Sequence, residues 1–127
     1  MTKDLNKESG RRGEKIAARY LREHGYKVVE RNYRTRFGEI DLVCTQRDKL
    51  VFVEVKLKIG DKFGTPEEMI TKAKVWQVRR TAENYLVENS LVKQQFPRYQ
   101  VDAICIVMGS DSAIQKVSHY ENIESEI

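Results

Sequence analysis

The sequence predicts a single α/β domain in which a mixed sheet is flanked by helices. Three observations carry this expectation. The chain has 127 residues, 40% apolar and 33% charged, which suits one domain with a real core and a polar surface. Two stretches with helical apolar spacing bracket three short strand-like runs. A nearly continuous apolar run follows the second helix, so it is expected to join by a crossover, parallel to an earlier strand. The expected order is helix, three strands, helix, then one or two strands.

Each element has a local reason. "ESGRRGEKIAARYLREHGY" brings Ile16, Ala17, Tyr20 and Leu21 onto one helical face, and Gly25 suits a C-terminal cap. Residues 1–8 ahead of it are polar and expected to be flexible, and the domain is taken as 1–127. "YKVVERNYRT" is rich in β-branched and aromatic residues, as strands are. "FGEIDLVCTQRDKLVFVEVKLK" supplies two strands around the polar turn Gln46-Arg47-Asp48-Lys49. "GTPEEMITKAKVWQVRRTAENYLVENS" is expected to be one long helix, with Thr65 as cap, Pro66 in the first position and Glu68 completing a capping box. "YQVDAICIVM" reads as a strand covered on both faces, and "AIQKVSHYENI" as a last strand or short terminal segment. Polar loops are expected over 59–65, 90–98 and 109–112, with Phe63-Gly64 as a flap beside the third strand.

Composition narrows the function classes. No stretch approaches the roughly 18 apolar residues of a membrane span, and the N-terminus has no apolar signal core. Cys44 and Cys105 lie in apolar runs without CxxC or zinc spacing. They are expected to be buried reduced thiols, which together with the missing signal predicts a cytoplasmic protein without membrane contact. The net charge is +4, and the surplus is local: residues 1–36 hold eleven Lys/Arg against five acids. A basic lobe is the footprint of a polyanion binder, although a solvated surface has the same composition.

The central hairpin carries charges where they are costly. Centring its turn on Arg47-Asp48 pairs residues whose numbers sum to 95, so Thr45 faces Leu50, Val43 faces Phe52 and Asp41 faces Glu54. Opposed side chains lie about 5 Å apart at Cβ, and period-two alternation adds Lys56 to the same face. Two opposed carboxylates destabilise a sheet unless compensated. Lys56 can neutralise one of them in a structural network, or a divalent cation can bind both, as hard oxygen ligands bind magnesium. Glu14 adds a further acid, at the edge of the first helix's apolar stripe. Gly10, Gly13, Ala17 and Ala18 are small enough for that helix to approach the sheet closely. Trp76 is expected to be partial core rather than a stacking surface, and His24 and His119 to be structural or exposed.

Asp41, Glu54-Val55-Lys56 and an upstream Glu14 resemble the PD-(D/E)XK nuclease superfamily. "GRRGEKIAARYLREHGYKVVERNYR", "FGEIDLV", "LVFVEVK", "FGTPEEMITKAK", "VDAICI" and "HYENI" together span nearly the whole chain. They look like the YraN-like family of uncharacterised bacterial proteins, relatives of Holliday-junction resolvases. The resemblance implies a restriction-endonuclease-like α-β-β-β-α-β core and metal-dependent hydrolysis of DNA, with Mg²⁺ or Mn²⁺ as cofactor. Asp41, Glu54 and the Val55 carbonyl would ligate the metal, Glu14 would reach it through water, and Lys56 would act on the reacting phosphate. Arg11, Arg12, Arg34, Arg36, Lys58, Lys72 and Lys74 are the candidates for nucleic-acid contacts. Three positions depart from the pattern: Ile40 stands where a proline precedes the first aspartate, Lys58 replaces a frequent arginine, and Gln100-Val101-Asp102 replaces Arg-Phe-Asp. Branched DNA and a homodimer follow from the resolvase likeness alone. The alternatives are a nucleic-acid-binding module with little activity, and a scaffold whose ion network is only structural.

Overall fold

A computed structural model describes residues 2–60 and 64–126, including the side chains of 10–60 and 64–124. The elements are α1 (Thr2–Glu23), β1 (Lys27–Thr35), β2 (Gly38–Gln46), β3 (Lys49–Ile59), α2 (Lys72–Glu88), α3 (Ser90–Gln95), β4 (Arg98–Met108) and β5 (Ile114–Tyr120). Short 3₁₀ turns cover Pro66–Met69 and Ile123–Glu126. α1 runs back to Thr2, ahead of the start read from the sequence. The side chains of residues 1–8, expected to be flexible, lie outside the described residues.

The five strands form one sheet in the order β1-β2-β3-β4-β5. β1–β2, β2–β3 and β4–β5 are antiparallel, and β3–β4 is parallel. This is the expected mixed sheet, with α2 and α3 in the crossover. β3 and β4 lie in its interior, which is why their apolar runs are nearly continuous. Leu50 and Phe52 on β3 pack under α2 with Val78 and Val101. The alternate residues Val51, Val53 and Val55 pack under α1 with Leu21 and Ile104. Full burial of a side chain such as Phe52 or Leu21 contributes about 1.5–3 kcal/mol. α1 and α2 thus cover opposite faces, and β3 presents Glu54 to the α2 side and Val55 to the α1 side.

The second helix is not continuous from Thr65. Thr65 starts only the 3₁₀ turn and its side chain caps nothing. Ile70 then leaves helical geometry (φ −91°, ψ 76°) and packs its half-buried side chain on the α2-side core. Thr71 is the working cap, its hydroxyl accepting from Lys74 N at 3.1 Å. A core contact therefore overrides the capping-box signal. The expected loop at 90–98 contains α3 for a similar reason, since Val92 and Phe96 dock on the same core.

Candidate functional site

The hairpin register is the one counted through the turn: Thr45 pairs with Leu50, Val43 with Phe52 and Gln46 with Lys49. Arg47 takes the left-handed conformation there (φ 56°). The ladder, however, ends at Leu42–Val53. On the other edge β1 pairs Arg31 with Leu42 and Tyr33 with Ile40, passing over Asp41. Asp41 is the one described β2 residue paired in neither ladder. The residue opposite it on β1 is Asn32, in a left-handed turn of the chain (φ 54°) that Asn tolerates.

Side-chain phase slips at the same place. Ile40 and Val43 both pack on the α2 side, while Leu42 and Cys44 pack on the α1 side. The direct Asp41–Glu54 ladder pair is thereby replaced by side-chain contact. Asp41 Oδ2 accepts a hydrogen bond from Val55 N at 2.8 Å, in the gap where β2 leaves β3. A carboxylate in that gap is reached from both faces of the sheet.

From the α1 side comes Glu14. Glu14, Glu39 and Asp41 bring carboxylate oxygens within 4.8 Å of one another. α1 can come this close because of Gly13: a Cβ there would sit 3.2 Å from Leu57 Cβ and 3.5 Å from Val55 Cγ1. Gly10, also named for close approach, faces open space. Burial raises the pKa of Glu14, the Asp41 charge adds to it, and a hydrogen bond from Asn32 opposes it. Glu39 was not among the sequence candidates. It lies two residues from Asp41 and ion-pairs with Arg34 at 3.2 Å. The signal that was available is Asn32, a poor strand residue inside a strand-like run.

From the α2 side comes Glu54, only 3% exposed. Burial, then the hydrogen bond and charge of Glu54, push Asp41 up to about 8, against the Val55 N–H and the Lys56 charge. Asp41 therefore keeps its proton near neutrality, hydrogen-bonded to Glu54. Lys74 Nζ lies 3.3 Å from Glu54 Oε2, within ion-pair range. The contact lacks hydrogen-bond geometry, and that buried oxygen has no hydrogen bond. A buried carboxylate oxygen without a donor is costly, and a divalent cation would satisfy it. The donor set, all carboxyl oxygens, fits Mg²⁺ or Mn²⁺. Lys56 stands half-buried two residues beyond Glu54.

The basic candidates divide. Lys74 belongs to the site. Arg12 is half-buried and donates to Met108 Sδ at 3.2 Å, and Arg34 is taken by Glu39. Arg36 lies over the Phe37 ring. Arg11 and Lys72 are exposed and Lys58 is half-buried. Phe63 lies outside the described residues. Trp76 is 57% exposed, contrary to the partial core expected of it, because α2 turns Val75 and Val78 inward instead. His119 is structural: its Nε2 lies 2.8 Å from fully buried Asp102, which also accepts from Asn122 N and Gln100 Nε2. His24 is exposed and stacks on Tyr20. Cys44 and Cys105 are free and buried, and burial pushes both thiols up to about 12.

A five-stranded mixed sheet between helices, with acids on α1 and β2 and Glu-x-Lys on β3, defines a restriction-endonuclease-like α/β protein. The chain belongs to the uncharacterised protein family UPF0102, the YraN family, whose model matches residues 13–106. A UPF0102 protein of Syntrophomonas wolfei subsp. wolfei is 41% identical over 118 residues, covering 93% of this chain and 98% of the relative. One from Alkaliphilus oremlandii is 36% identical over 119 residues, covering 93% and 98%. One from Syntrophotalea carbinolica is 46% identical over 95 residues, covering 75% and 76%. Among the described residues, no helix is long and apolar enough to cross a membrane.

Proposed function

We propose that the protein is a metal-dependent DNA endonuclease acting in the cytoplasm, with branched DNA as its preferred substrate and a homodimer as its working form. The observation that carries the reading is the buried Glu54 oxygen without a hydrogen bond, beside an Asp41 carboxyl that burial and Glu54 push up to about 8. Asp41, Glu54 and the Val55 carbonyl would hold the cation, and Glu14 would reach it through water. Bound there, a divalent cation supplies Lewis acidity toward a phosphodiester and lowers the pKa of water. Val55 N–H fixes the Asp41 carboxyl, so its free oxygen keeps one direction. Lys56, on the β3 face that carries Glu54, stabilises charge as it builds on the phosphate oxygens. Glu39 orients Arg34 at the edge of the same cluster.

The test is a cleavage panel in Mg²⁺ and in Mn²⁺ with single-stranded, duplex, flap and four-way-junction DNA. Strand scission by wild type is expected, with the branched substrates, flap and junction, cut faster than the plain duplex. Lys56→Met is expected to lose about 10²–10³-fold in rate while binding DNA as before. If no substrate is cut in either metal, the nuclease reading fails.

A specific contact favours a second reading. Lys74 already stands 3.3 Å from Glu54, so the acids form part of an ion network without any metal. A nucleic-acid-binding module built on that network would bind DNA, show no heat of Mg²⁺ binding in calorimetry, and lose stability in Asp41→Ala.

A further inference from the structure

The exposed indole of Trp76 needs an explanation. It is more than half exposed on the wall of an open cleft of about 470 Å³, lined by Phe37, Met69, Lys74, Gln77 and Arg80 as well. Trp76 lines that cleft together with Phe37 and Met69, and an apolar patch rimmed by polar and charged side chains marks an interaction site. Its surroundings are cationic. Arg80 lies 4.3 Å from the Phe37 ring centre and 4.8 Å from the Trp76 ring, which puts the guanidinium against both. Arg36 sits 5.0 Å from the Phe37 ring. Neither Arg36 nor Arg80 forms an ion pair among the described residues. The two rings are thus held in place by cation–π contact, and the positive charge is left for a ligand.

The cleft is tied to the acidic site. Gln77 Nε2 donates to the Phe37 carbonyl at 2.7 Å, which pins the residue that leads into Gly38, Glu39 and Asp41. Lys74 spans the two places, 3.5 Å from Gln77 Oε1 and 3.3 Å from Glu54 Oε2. Lys74 thus borders both the carboxylates and the cleft that Trp76 lines, so a strand with one phosphate at the carboxylates can continue into that cleft.

We propose that Trp76, held by Arg80 and Phe37, is a stacking platform for an unpaired base of the DNA strand at the site. This rests on the nuclease-like reading for its substrate, and it narrows that substrate to DNA with an unpaired nucleotide beside the scissile phosphate. Every base has a π-face, so the platform takes any sequence. A closed duplex keeps its bases stacked on one another and offers the indole nothing. An apolar protein partner would leave Arg36 and Arg80 uncompensated, whereas flanking phosphates neutralise them.

Trp76 is the only tryptophan in the chain, so its emission reports on the platform alone. Full-length protein in EDTA is titrated with an oligo-dT strand and with a blunt duplex of equal length. Binding is followed by tryptophan quenching and by anisotropy of a labelled strand. The single strand is expected to quench the emission and the duplex to leave it unchanged. Trp76→Ala is expected to weaken single-strand binding about ten-fold or more, the scale of one base–aromatic stack, with duplex binding unaltered and Trp76→Phe close to wild type. Circular dichroism of Trp76→Ala checks that it is folded, as expected for an exposed side chain. Equal single-strand affinity in folded Trp76→Ala, or absence of quenching, overturns the inference. So does a change in sedimentation of the free protein with DNA binding intact, which would make the patch a protein interface. The readout needs no metal and no cleavage. If DNA is cut but Trp76 is silent, only the platform fails; if Trp76 is quenched but nothing is cut, only the nuclease reading fails.

Discussion

Asp41 is held as an acid that gives up its proton late. Its ordinary value is 3.8 and in the fold it rises to about 8, through burial first and Glu54 second. The folded state keeps the proton over that interval while the unfolded chain releases it. The associated stability is complete below pH 4 and is lost as pH rises through 8. Asp41→Asn removes this titration. In EDTA, the melting temperature of Asp41→Asn relative to wild type is therefore expected to rise between pH 5 and pH 9. Cation binding competes with the same proton. The Mg²⁺-induced rise in wild-type melting temperature is expected to be larger at pH 8.5 than at pH 6.5, and absent in Asp41→Asn. A pH-independent difference between the two proteins would show that Asp41 does not hold its proton late.

At the scale of elements, two threonines and two glycines separate signal from use. Thr71 caps α2 and Thr65 caps nothing. Urea unfolding of Thr71→Ala is expected to show a loss of about 1 kcal/mol, and Thr65→Ala almost none. Gly13 is the contact through which α1 meets β3, and Gly10 stands in the open. Gly13→Leu forces the helix off Leu57 and Val55 and is expected to cost about 1–3 kcal/mol. It should also weaken Mg²⁺ binding, because Glu14 is the next residue. Gly10→Ala is expected to stabilise by up to about 1 kcal/mol from helix propensity alone. If both glycines respond alike, α1 is not seated by Gly13.

For the whole molecule the charge is what remains to be used. Within the net +4, the first 36 residues carry a surplus of six positive charges, and they lead into the acidic site through Glu14 on α1 and through Arg34 beside Glu39, with Arg36 over Phe37. Part of that surplus is neutralised internally, since Glu39 takes Arg34 and Glu23 takes Arg19. DNA affinity is expected to fall linearly on a log–log plot against salt, with Arg36→Ala reducing the slope by about 1. An unchanged slope would place the DNA elsewhere on the surface.

Much of this was written in local pattern. Period-two alternation and the turn at Arg47-Asp48 determine the hairpin register, because a slip of one residue would move Val43 and Phe52 off their core face. The apolar run of β4 announces a strand covered on both sides, and the resulting sheet is mixed as expected. Asp41, Glu54 and Lys56 are legible as charges at costly positions, and Glu14 as an acid at the edge of the first helix's apolar stripe. Other features depend on contacts distant in the chain. Asn32 on β1 breaks the pairing opposite Asp41, so the carboxylate enters the gap between strands rather than facing Glu54 across a ladder. Glu39 joins Glu14 only because Gly13 lets α1 settle on β3. Ile70 ends the capping-box turn because the core takes its side chain, and Trp76 faces outward because Val75 and Val78 take the inward positions. Composition and periodicity determine which residues are apolar and which way strands alternate, since those depend on near neighbours. Where three carboxylates meet depends on how two elements pack, and only the tertiary structure decides that.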